Sequence, residues 1–408
     1  MTALIFSVGA LRVMAHGSRL AAALVFARML GASEVGVYFV AIAVAGIVSV
    51  IARAGLDRLA LSEAAHNPAA SFAIYRHLGR WLFLTSVAAL VISPMLARLL
   101  FGSGIALQTH LGAAAAIPFI NATLLAASVL RGRGEVNVSM VVGEVSPPVL
   151  QLLIFLMLPL ELNATRAVIA QLLAMAITSF LGLYLVTRRA DARAAHDVDL
   201  TWRQALPMLI VGVNGQFRQS FVSIASWFAG TPAQVGAMGA AFRTEQALML
   251  PVNATRLATA PRLASRERPL PEAVTTLAQH SARLAALVQI PLLAFGAIFA
   301  ADLLSLLGDD FVDGAPWLRI LLIGSLVNAL TGTSHSVLLM SSERSVLAVT
   351  STIASVALAA VGIGVALFIG TAGVAVGLAT AYVVGGLLEW ALIRRRLGAR
   401  VDVFATSD

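Results

Sequence analysis

Polar positions are sparse along this chain, and between them apolar runs of 18 residues or more recur from one end to the other. About 20 helical residues, each rising 1.5 Å, cross the hydrocarbon core of a bilayer, so runs of this length read as spanning helices. The pattern predicts twelve, at roughly 8–30, 35–55, 79–101, 110–130, 138–160, 165–187, 205–228, 234–257, 282–304, 315–340, 345–369 and 371–393. The runs are continuous and do not alternate in segments of about ten residues, which predicts helices and argues against a membrane barrel. The expected fold class is therefore an all-α integral membrane protein.

The connections between these runs are asymmetric in charge. One set carries Arg58, Arg76, Arg80, Arg131, Arg133, Arg188, Arg189, Arg193, Arg203, Arg262, Arg266, Arg268, Arg283, Arg344 and the tail Arg394, Arg395, Arg396 and Arg400. The opposite set is short and acidic, with Glu34, Glu161, Asp309, Asp310 and Asp313. The positive-inside rule then puts both termini in the cytoplasm of a multi-pass protein of the cytoplasmic membrane. Two connections on that side, 56–78 and 258–281, are longer than hairpins. The first mixes apolar and charged residues and is expected to lie along the membrane surface. The most polar stretch, 188–204 (RRADARAAHDVDLTWRQ), reads as a linker between halves. The expected organisation is a six-helix lobe over 1–190, a linker at 191–204, a second six-helix lobe over 205–393 and a tail at 394–408.

The two halves look related. Gly31 to Tyr38 reads GASEVGVY and Gly230 to Met238 reads GTPAQVGAM, each at the turn between the first two spans of its half. Val35-Gly36 and Val235-Gly236 are 200 residues apart, and Asn121-Ala122 precedes Asn328-Ala329 by 207. Weak internal symmetry of this kind is common in secondary transporters. Six spans per repeat is an even number, so the halves share one orientation about an axis along the membrane normal, with a cleft between them.

Composition narrows the class further. Of 408 residues, 59% are hydrophobic and 12% charged, and the mean hydropathy is +0.89. Soluble domains carry about 25% charged residues, so a soluble enzyme, a nucleic-acid-binding domain and a single-pass receptor are excluded. The net charge of +8 comes entirely from arginine, because the chain has no lysine, and loop arginines explain it without a nucleic-acid partner. The absence of cysteine removes disulfides, thiolate catalysis and cysteine-ligated metals. Without lysine there is no phosphate-binding loop, and no HExxH spacing occurs; no cofactor, no metal and no catalytic residue are expected. No cleavable signal peptide is expected either, since no basic residue precedes Arg12.

Ionisable residues inside spans are costly, so each is a functional candidate by default. Arg12, His16 and Arg19 lie at i, i+4 and i+7 and share one face of the first span. Arg218 falls near the middle of the seventh span, one turn after Asn214. An offset of 199, taken from Gly31 and Gly230, carries Arg19 onto 218. Two guanidiniums at equal depth across a cleft would grip an anionic ligand through forked hydrogen bonds. Gln216, Gln219 and Ser223 add a polar stripe suited to sugar hydroxyls, and Arg243 lies at mid-depth in the eighth span. Glu144, Glu245 and His335 are candidates for ion pairing or for coupling to H+ or Na+. Each has a bland counterpart. Arg12 is near enough to the membrane surface to snorkel, His16 suits a hydrogen-bonded interior histidine, and polar stripes also join helices.

Several of these segments resemble one family. Phe26 to Ile42 (FARMLGASEVGVYFVAI), followed by Ala54-Gly55-Leu56-Asp57-Arg58, resembles the start of polysaccharide repeat-unit flippases, the Wzx-like branch of the multidrug/oligosaccharidyl-lipid/polysaccharide exporter superfamily. Leu307-Gly308 through Ala315 to Leu322, Ser342-Glu343-Arg344 and Gly370 to Ala375 fit the same family. The resemblance spans nearly the whole chain, and none of its motifs is catalytic. It implies two pseudo-symmetric six-helix bundles with a MATE-like fold and no enzyme activity. It further implies translocation of an undecaprenyl-diphosphate-linked oligosaccharide to the periplasmic leaflet of a bacterial inner membrane. The partners would be that anionic lipid-linked glycan, membrane lipid, a coupling cation and polysaccharide assembly machinery. A multidrug or small-solute antiporter is the same-fold alternative. A polytopic polymerase or glycosyltransferase is a distant third, since no outer loop greatly exceeds about ten residues. If Arg218 acts through its charge, Arg218→Ala abolishes transport and Arg218→Lys restores part of it; full transport by both variants would remove it from the site.

Overall fold

The computed structural model describes residues 2–188, 202–252, 272–331, 334–340, 344–398, 401 and 403. Every regular element among them is helical. In chain order these are α1 (Thr2–Arg53), α2 (Leu56–His66), α3 (Ser71–Phe101), α4 (Leu107–Gly132), α5 (Val136–Met157), α6 (Ala164–Arg188) and α7 (Trp202–Ala229). They are followed by α8 (Pro232–Leu248), α9 (Glu272–Ile298), α10 (Ala300–Ser305), α11 (Ala315–Leu330), α12 (Ser334–Met340), α13 (Arg344–Ile369) and α14 (Thr371–Arg396). Where its residues are described, each of the twelve expected spans overlaps helix, the first two on the two parts of α1; residues 253–257 of the eighth lie outside the described residues. Eight described segments are long and apolar enough to cross a membrane. One is Met14–Arg53, whose 40 residues contain two expected spans and would measure about 60 Å only if helical throughout without the break at Gly31. Three expected spans fall outside the eight. Helices α8 and α11 are short, with 17 and 16 residues, and Asn214, Gln216, Arg218 and Gln219 dilute the hydropathy of α7.

The chain divides into two compact units, Met1–Gln216 and Phe217–Asp408, with the division falling inside α7. Most of the expected linker, residues 191–201, lies outside the described residues.

In unit 1 the turn expected after Leu30 is compressed to one residue. Gly31 takes φ 74°, ψ 169°, a conformation closed to side-chain-bearing residues, and breaks α1 into two helices. Three residues on, Glu34 Oε2 accepts a 2.7 Å hydrogen bond from the Ala164 amide and so caps the start of α6. Helix α2 buries Leu56, Ala60 and Ala64 in a cluster with Ile74, Leu78 and Leu82 of α3 and Leu125, Val129 and Leu130 of α4. Its apolar face therefore packs on protein, where the sequence pattern alone suggested lipid. In α5 the pair Pro147-Pro148 does not break the helix. The turn just before it, Val141–Val145, widens into a π-turn that absorbs the missing amide donors.

Two arginines of unit 1 close helix ends. Arg166 is 8% exposed and donates to the carbonyls of Phe155 (2.9 Å), Leu160 (2.6 Å) and Leu156 (3.4 Å) at the end of α5. Its guanidinium stacks 5.0 Å from the centre of the Phe155 ring. Arg133 donates to the carbonyls of Leu185 (3.1 Å) and Val186 (3.3 Å) in the last turn of α6 and pairs with Glu135 at 3.0 Å. In unit 2, α13 and α14 approach so closely that a Cβ on Gly377 would lie 2.4 Å from the Gly362 Cα, and one on Gly373 would lie 2.2 Å from the Ala366 nitrogen. Small residues are what allow helices to approach this closely in lipid. The turn from α7 to α8 is closed by a capping box in which Thr231 and Gln234 exchange hydrogen bonds.

Removing Arg166 leaves several carbonyls without a donor. Arg166→Leu is expected to destabilise unit 1 by about 2–4 kcal/mol, with Arg166→Lys intermediate because an ammonium cannot fork to three acceptors. Thermal unfolding in detergent reads this, and an unchanged midpoint for Arg166→Leu would show the cap to be dispensable.

Candidate functional site

The most deeply buried acid of the described residues is in unit 2. Glu245, on α8, is 2% exposed. Its Oε1 accepts a short hydrogen bond from the Ser325 hydroxyl on α11, and its Oε2 lies 3.5 Å from the Tyr382 hydroxyl on α14. Arg218, half-buried on α7, acts electrostatically on that same hydroxyl. Among the described residues Glu245 makes no ion pair. Four helices thus contribute one side chain each to a carboxylate held by hydroxyl donors, with a cation nearby.

Helix α14 continues the polar path. Glu389 lies seven residues after Tyr382, two turns further on the same face. His335 Nδ1 of α12 is 3.1 Å from Glu389 Oε1, and Glu389 is the more buried of the two.

Unit 1 carries a different arrangement. A pocket of about 250 Å³ is lined by Ser49 and Arg53 of α1, Gln171 of α6 and Gln216, the last residue of that unit, over a floor of small residues including Ala45 and Gly46. Side-chain bonds fix its walls. Ser49 donates to Asn121 Oδ1 (2.7 Å) and Asn121 Nδ2 donates to Ser86 (2.9 Å). Tyr38 donates to Gln171 Oε1 (3.0 Å) and accepts from Gln151 (2.8 Å). Gln171 and Arg53 thus both line a pocket whose walls these bonds hold in place.

The residues expected from sequence are scattered between these places. Glu245 and Arg218 meet around Tyr382, and Gln216 lines the pocket of unit 1. Arg243 folds back to the carbonyl of Gly239 at 3.3 Å, one turn away on its own helix. Glu144 sits in the π-turn and pairs with Arg131 at 3.3 Å, with both side chains partly exposed. His335 pairs with Glu389. Arg19 is exposed on α1, His16 and Asn214 are half-buried, and the Arg12 side chain lies outside the described residues. Sequence reasoning missed Arg53, Ser325, Tyr382 and Glu389. The rule that singled out Glu245 also applies to Glu389, an acid inside an apolar run. Arg53 was passed over because it falls in the last turn of the second expected span, 35–55, where a charge reads as a span end.

Among the described residues no group of three or more His, Asp or Glu side chains is placed to hold a metal ion. No protein-family model and no curated protein sequence matches the chain. Solved structures do. The chain is similar to a multidrug resistance MATE family transporter of the MOP superfamily in its inward-facing conformation, at 17% identity and a TM-score of 0.71, over 94% of this chain and 98% of that one. It is similar to the MATE multidrug transporter DinF-BH, at 14% identity and a TM-score of 0.70, over 97% and 94%. It is also similar to a MOP superfamily transporter from Pyrococcus furiosus described as having a binding pocket of reversed polarity that suggests a different function, at 17% identity and a TM-score of 0.69, over 97% and 95%. The fold is that of the MATE transporters.

The two donors on Glu245 are unequal. Ser325→Ala removes the closer one and is expected to lower stability by about 1–3 kcal/mol, while Tyr382→Phe costs about 1 kcal/mol or less. Denaturation in detergent ranks them, and the reverse order would make Tyr382 the principal partner.

Proposed function

We propose that this protein is a secondary transporter that works by alternating access of its two units, exchanging a small organic solute against a cation taken up at Glu245. The observation that carries this reading is the setting of that carboxylate. A buried acid fixed as a structural element pairs with an arginine; Glu245 is held by the hydroxyls of Ser325 and Tyr382. A hydroxyl can donate to the ionised carboxylate and accept from the protonated one, so both charge states keep their partners. Arg218 acts on the Tyr382 hydroxyl, one of the two groups that hold Glu245, and so ties the cation of α7 to the carboxylate through that hydroxyl. The fold is shared with structures described as multidrug transporters, which supports a small-solute substrate. The lobes are assigned to 1–190 and 205–393, joined at 191–204 and followed by the tail 394–408, with both termini on the cytoplasmic side of the inner membrane.

A second reading rests on the pocket of unit 1. Arg53 supplies a cation, Ser49, Gln171 and Gln216 add polar groups, and no acid lines the pocket, which suits an acceptor-rich anion better than a cationic drug. That chemistry favours an undecaprenyl-diphosphate-linked oligosaccharide moved between leaflets, with Arg12, His16, Arg19, Asn214, Gln216, Arg218 and Arg243 along its path and Glu144, Glu245 and His335 as coupling or pairing groups.

Proteoliposomes with an imposed pH gradient separate the two. On the antiport reading the protein expels a cationic dye, and Glu245→Gln, which keeps the acceptor for Ser325 but cannot exchange a proton, lowers the rate at least tenfold without shifting the melting temperature. Dye transport that survives Glu245→Gln unchanged would remove the coupling role. If no dye moves, while cells depleted of the protein accumulate lipid-linked glycan on the cytoplasmic leaflet and recover on re-expression, the second reading replaces the first.

A further inference from the structure

Unit 1 has another feature that neither transport reading uses. Between α3 and α4 runs a groove of about 330 Å³, lined by Tyr75, Arg76, Gly79, Arg80 and Phe83 on one side and Pro118, Ala122 and Leu125 on the other. Arg76 and Arg80 are one helical turn apart, both exposed, at the end of α3 where the chain collects its arginines. Neither makes an ion pair among the described residues; Arg76 only rests against the Phe72 ring, 5.9 Å from its centre. No acidic residue lines the groove. The half-buried Tyr75 hydroxyl, which lines it too, has no hydrogen-bond partner among the described residues.

Beyond the arginines the groove becomes apolar. Gly79 leaves it open, since a Cβ there would meet only the Leu125 side chain, at an ordinary 3.8 Å. Pro118 and Ala122 keep the α4 wall low, and Phe83, 63% exposed, stands as the outer wall. The surrounding surface of α3 belongs to lipid. Leu84, Val87, Val91, Ile92, Met95 and Leu99 are all exposed, and Trp81, also exposed, sits beside Arg80 as an interfacial anchor would. A cationic head with an apolar trough leading from it toward the bilayer interior has one natural complement.

We propose that this groove binds an anionic phospholipid, its phosphate held between Arg76 and Arg80 with the Tyr75 hydroxyl as a third donor, and one acyl chain lying along Gly79, Ala122 and Leu125. Paired guanidiniums suit phosphate oxygens through forked bonds, and basic grooves between spanning helices at the membrane surface are where acidic headgroups are recognised. The occupant is a phospholipid and not a soluble phosphate because the groove leads from the arginines onto a face of α3 whose apolar side chains, Phe83, Leu84 and Val87 among them, are exposed. The site shares no lining residue with the Arg53 pocket and none with the Glu245 cluster; Ser86, which also lines the groove, accepts from the Asn121 amide that holds Ser49 of that pocket, and the variants below leave it unchanged.

Native mass spectrometry of the purified protein, exchanged from detergent into mixed micelles of phosphatidylglycerol and phosphatidylcholine, tests this. Wild-type protein is expected to retain phosphatidylglycerol over phosphatidylcholine by about tenfold, the magnitude of roughly one charge-assisted contact. Arg76→Gln/Arg80→Gln is expected to lose that preference, while Arg394→Gln/Arg395→Gln, which removes two arginines elsewhere, keeps it. Gly79→Leu, which fills the trough and leaves both arginines, is expected to reduce retention at least fivefold. All four proteins should melt alike, because the exchanged side chains are exposed or face open space. Equal retention by wild type and Arg76→Gln/Arg80→Gln would overturn the site. Retention unaffected by Gly79→Leu, or competed away by inorganic phosphate alone, would overturn the phospholipid and leave a surface anion contact.

Discussion

Lipid offers no hydrogen bonds, so a polar side chain on a spanning helix must find its partner inside the protein or remain unsatisfied at a cost of several kcal/mol. Both units meet this constraint with the same device. In unit 1, Ser49 of α1 bonds Asn121 of α4; in unit 2, Glu245 of α8 bonds Ser325 of α11. Each is a buried link between the second and fourth spans of its half, and each engages a further helix, through Ser86 of α3 or Tyr382 of α14. Such bonds contribute only about 0.6–2 kcal/mol each in membranes, less than the packing around them. Their larger effect is on register. A helix that slid by one residue would strand a polar atom in a hydrocarbon interior, so the links fix depth and rotation for helices whose apolar surfaces would tolerate many alignments.

The related turns show how the halves have diverged within that scheme. The Gly31-to-Val35 interval is one residue shorter than Gly230-to-Val235. In unit 1 the shorter version becomes a single-residue kink, leaving Glu34 to cap a different helix. In unit 2 the extra residue allows a full turn, in which Thr231 and Gln234 cap their own helix ahead of Val235. Both valines end up buried, at 2% and 0% exposure, so the core position is kept while the capping chemistry is exchanged. Counting 200 residues back from Glu245 gives Ala45, which lies in the floor of the unit 1 pocket. One helical position thus carries a carboxylate in one half and open space in the other. That is the kind of asymmetry a carrier needs if one half is to hold a coupling ion and the other a solute.

Much of this was legible in the sequence because lipid simplifies the code. Where water competes for backbone groups, periodicity and capping must both be read; here an apolar run of spanning length is sufficient, and each of the twelve runs overlaps helix where its residues are described. A break at Gly31 and the choice of Glu245 and Arg218 as candidates followed from the same logic, since a glycine between two runs and a charge within one are both conspicuous. What stayed hidden depends on contacts between distant segments. Nothing local to Ser325 or Tyr382 distinguishes them from hydroxyls that bond back to their own helix, as Ser281 and Thr352 do. Helix α2 has the alternation of a surface-lying helix, and only the placement of Ile74, Leu130 and Val186 shows that protein covers its apolar face. Arg53 was invisible for a third reason: at the end of a run, the reach of a side chain and not its position decides whether it serves loop or pocket.

The exclusive use of arginine bears on the charge asymmetry itself. Arg166 follows Glu161 by five residues, Arg319 follows Asp313 by six, and Arg98 lies at the opposite end of α3 from Arg76 and Arg80; a simple count sets them against the asymmetry. Each is occupied with carbonyl oxygens: Arg166 with three, Arg319 with Ala297 at 3.0 Å, and Arg98 with Gly102 at 2.8 Å. A guanidinium bound to the carbonyl end of a helix compensates the helix dipole there and satisfies acceptors that lipid cannot, so its charge is committed to the fold and is poorly available to a membrane surface. The exposed arginines that make no such bond, Arg76 and Arg80 among them, sit at the other end. An ammonium could supply the charge at either place, but only the planar fork can serve both as a multi-acceptor cap in the interior and as a phosphate grip at the interface. The choice of one basic residue throughout is therefore consistent with two different demands, carbonyl capping, which Arg133 performs at the basic end as well, and anion recognition by arginines left exposed.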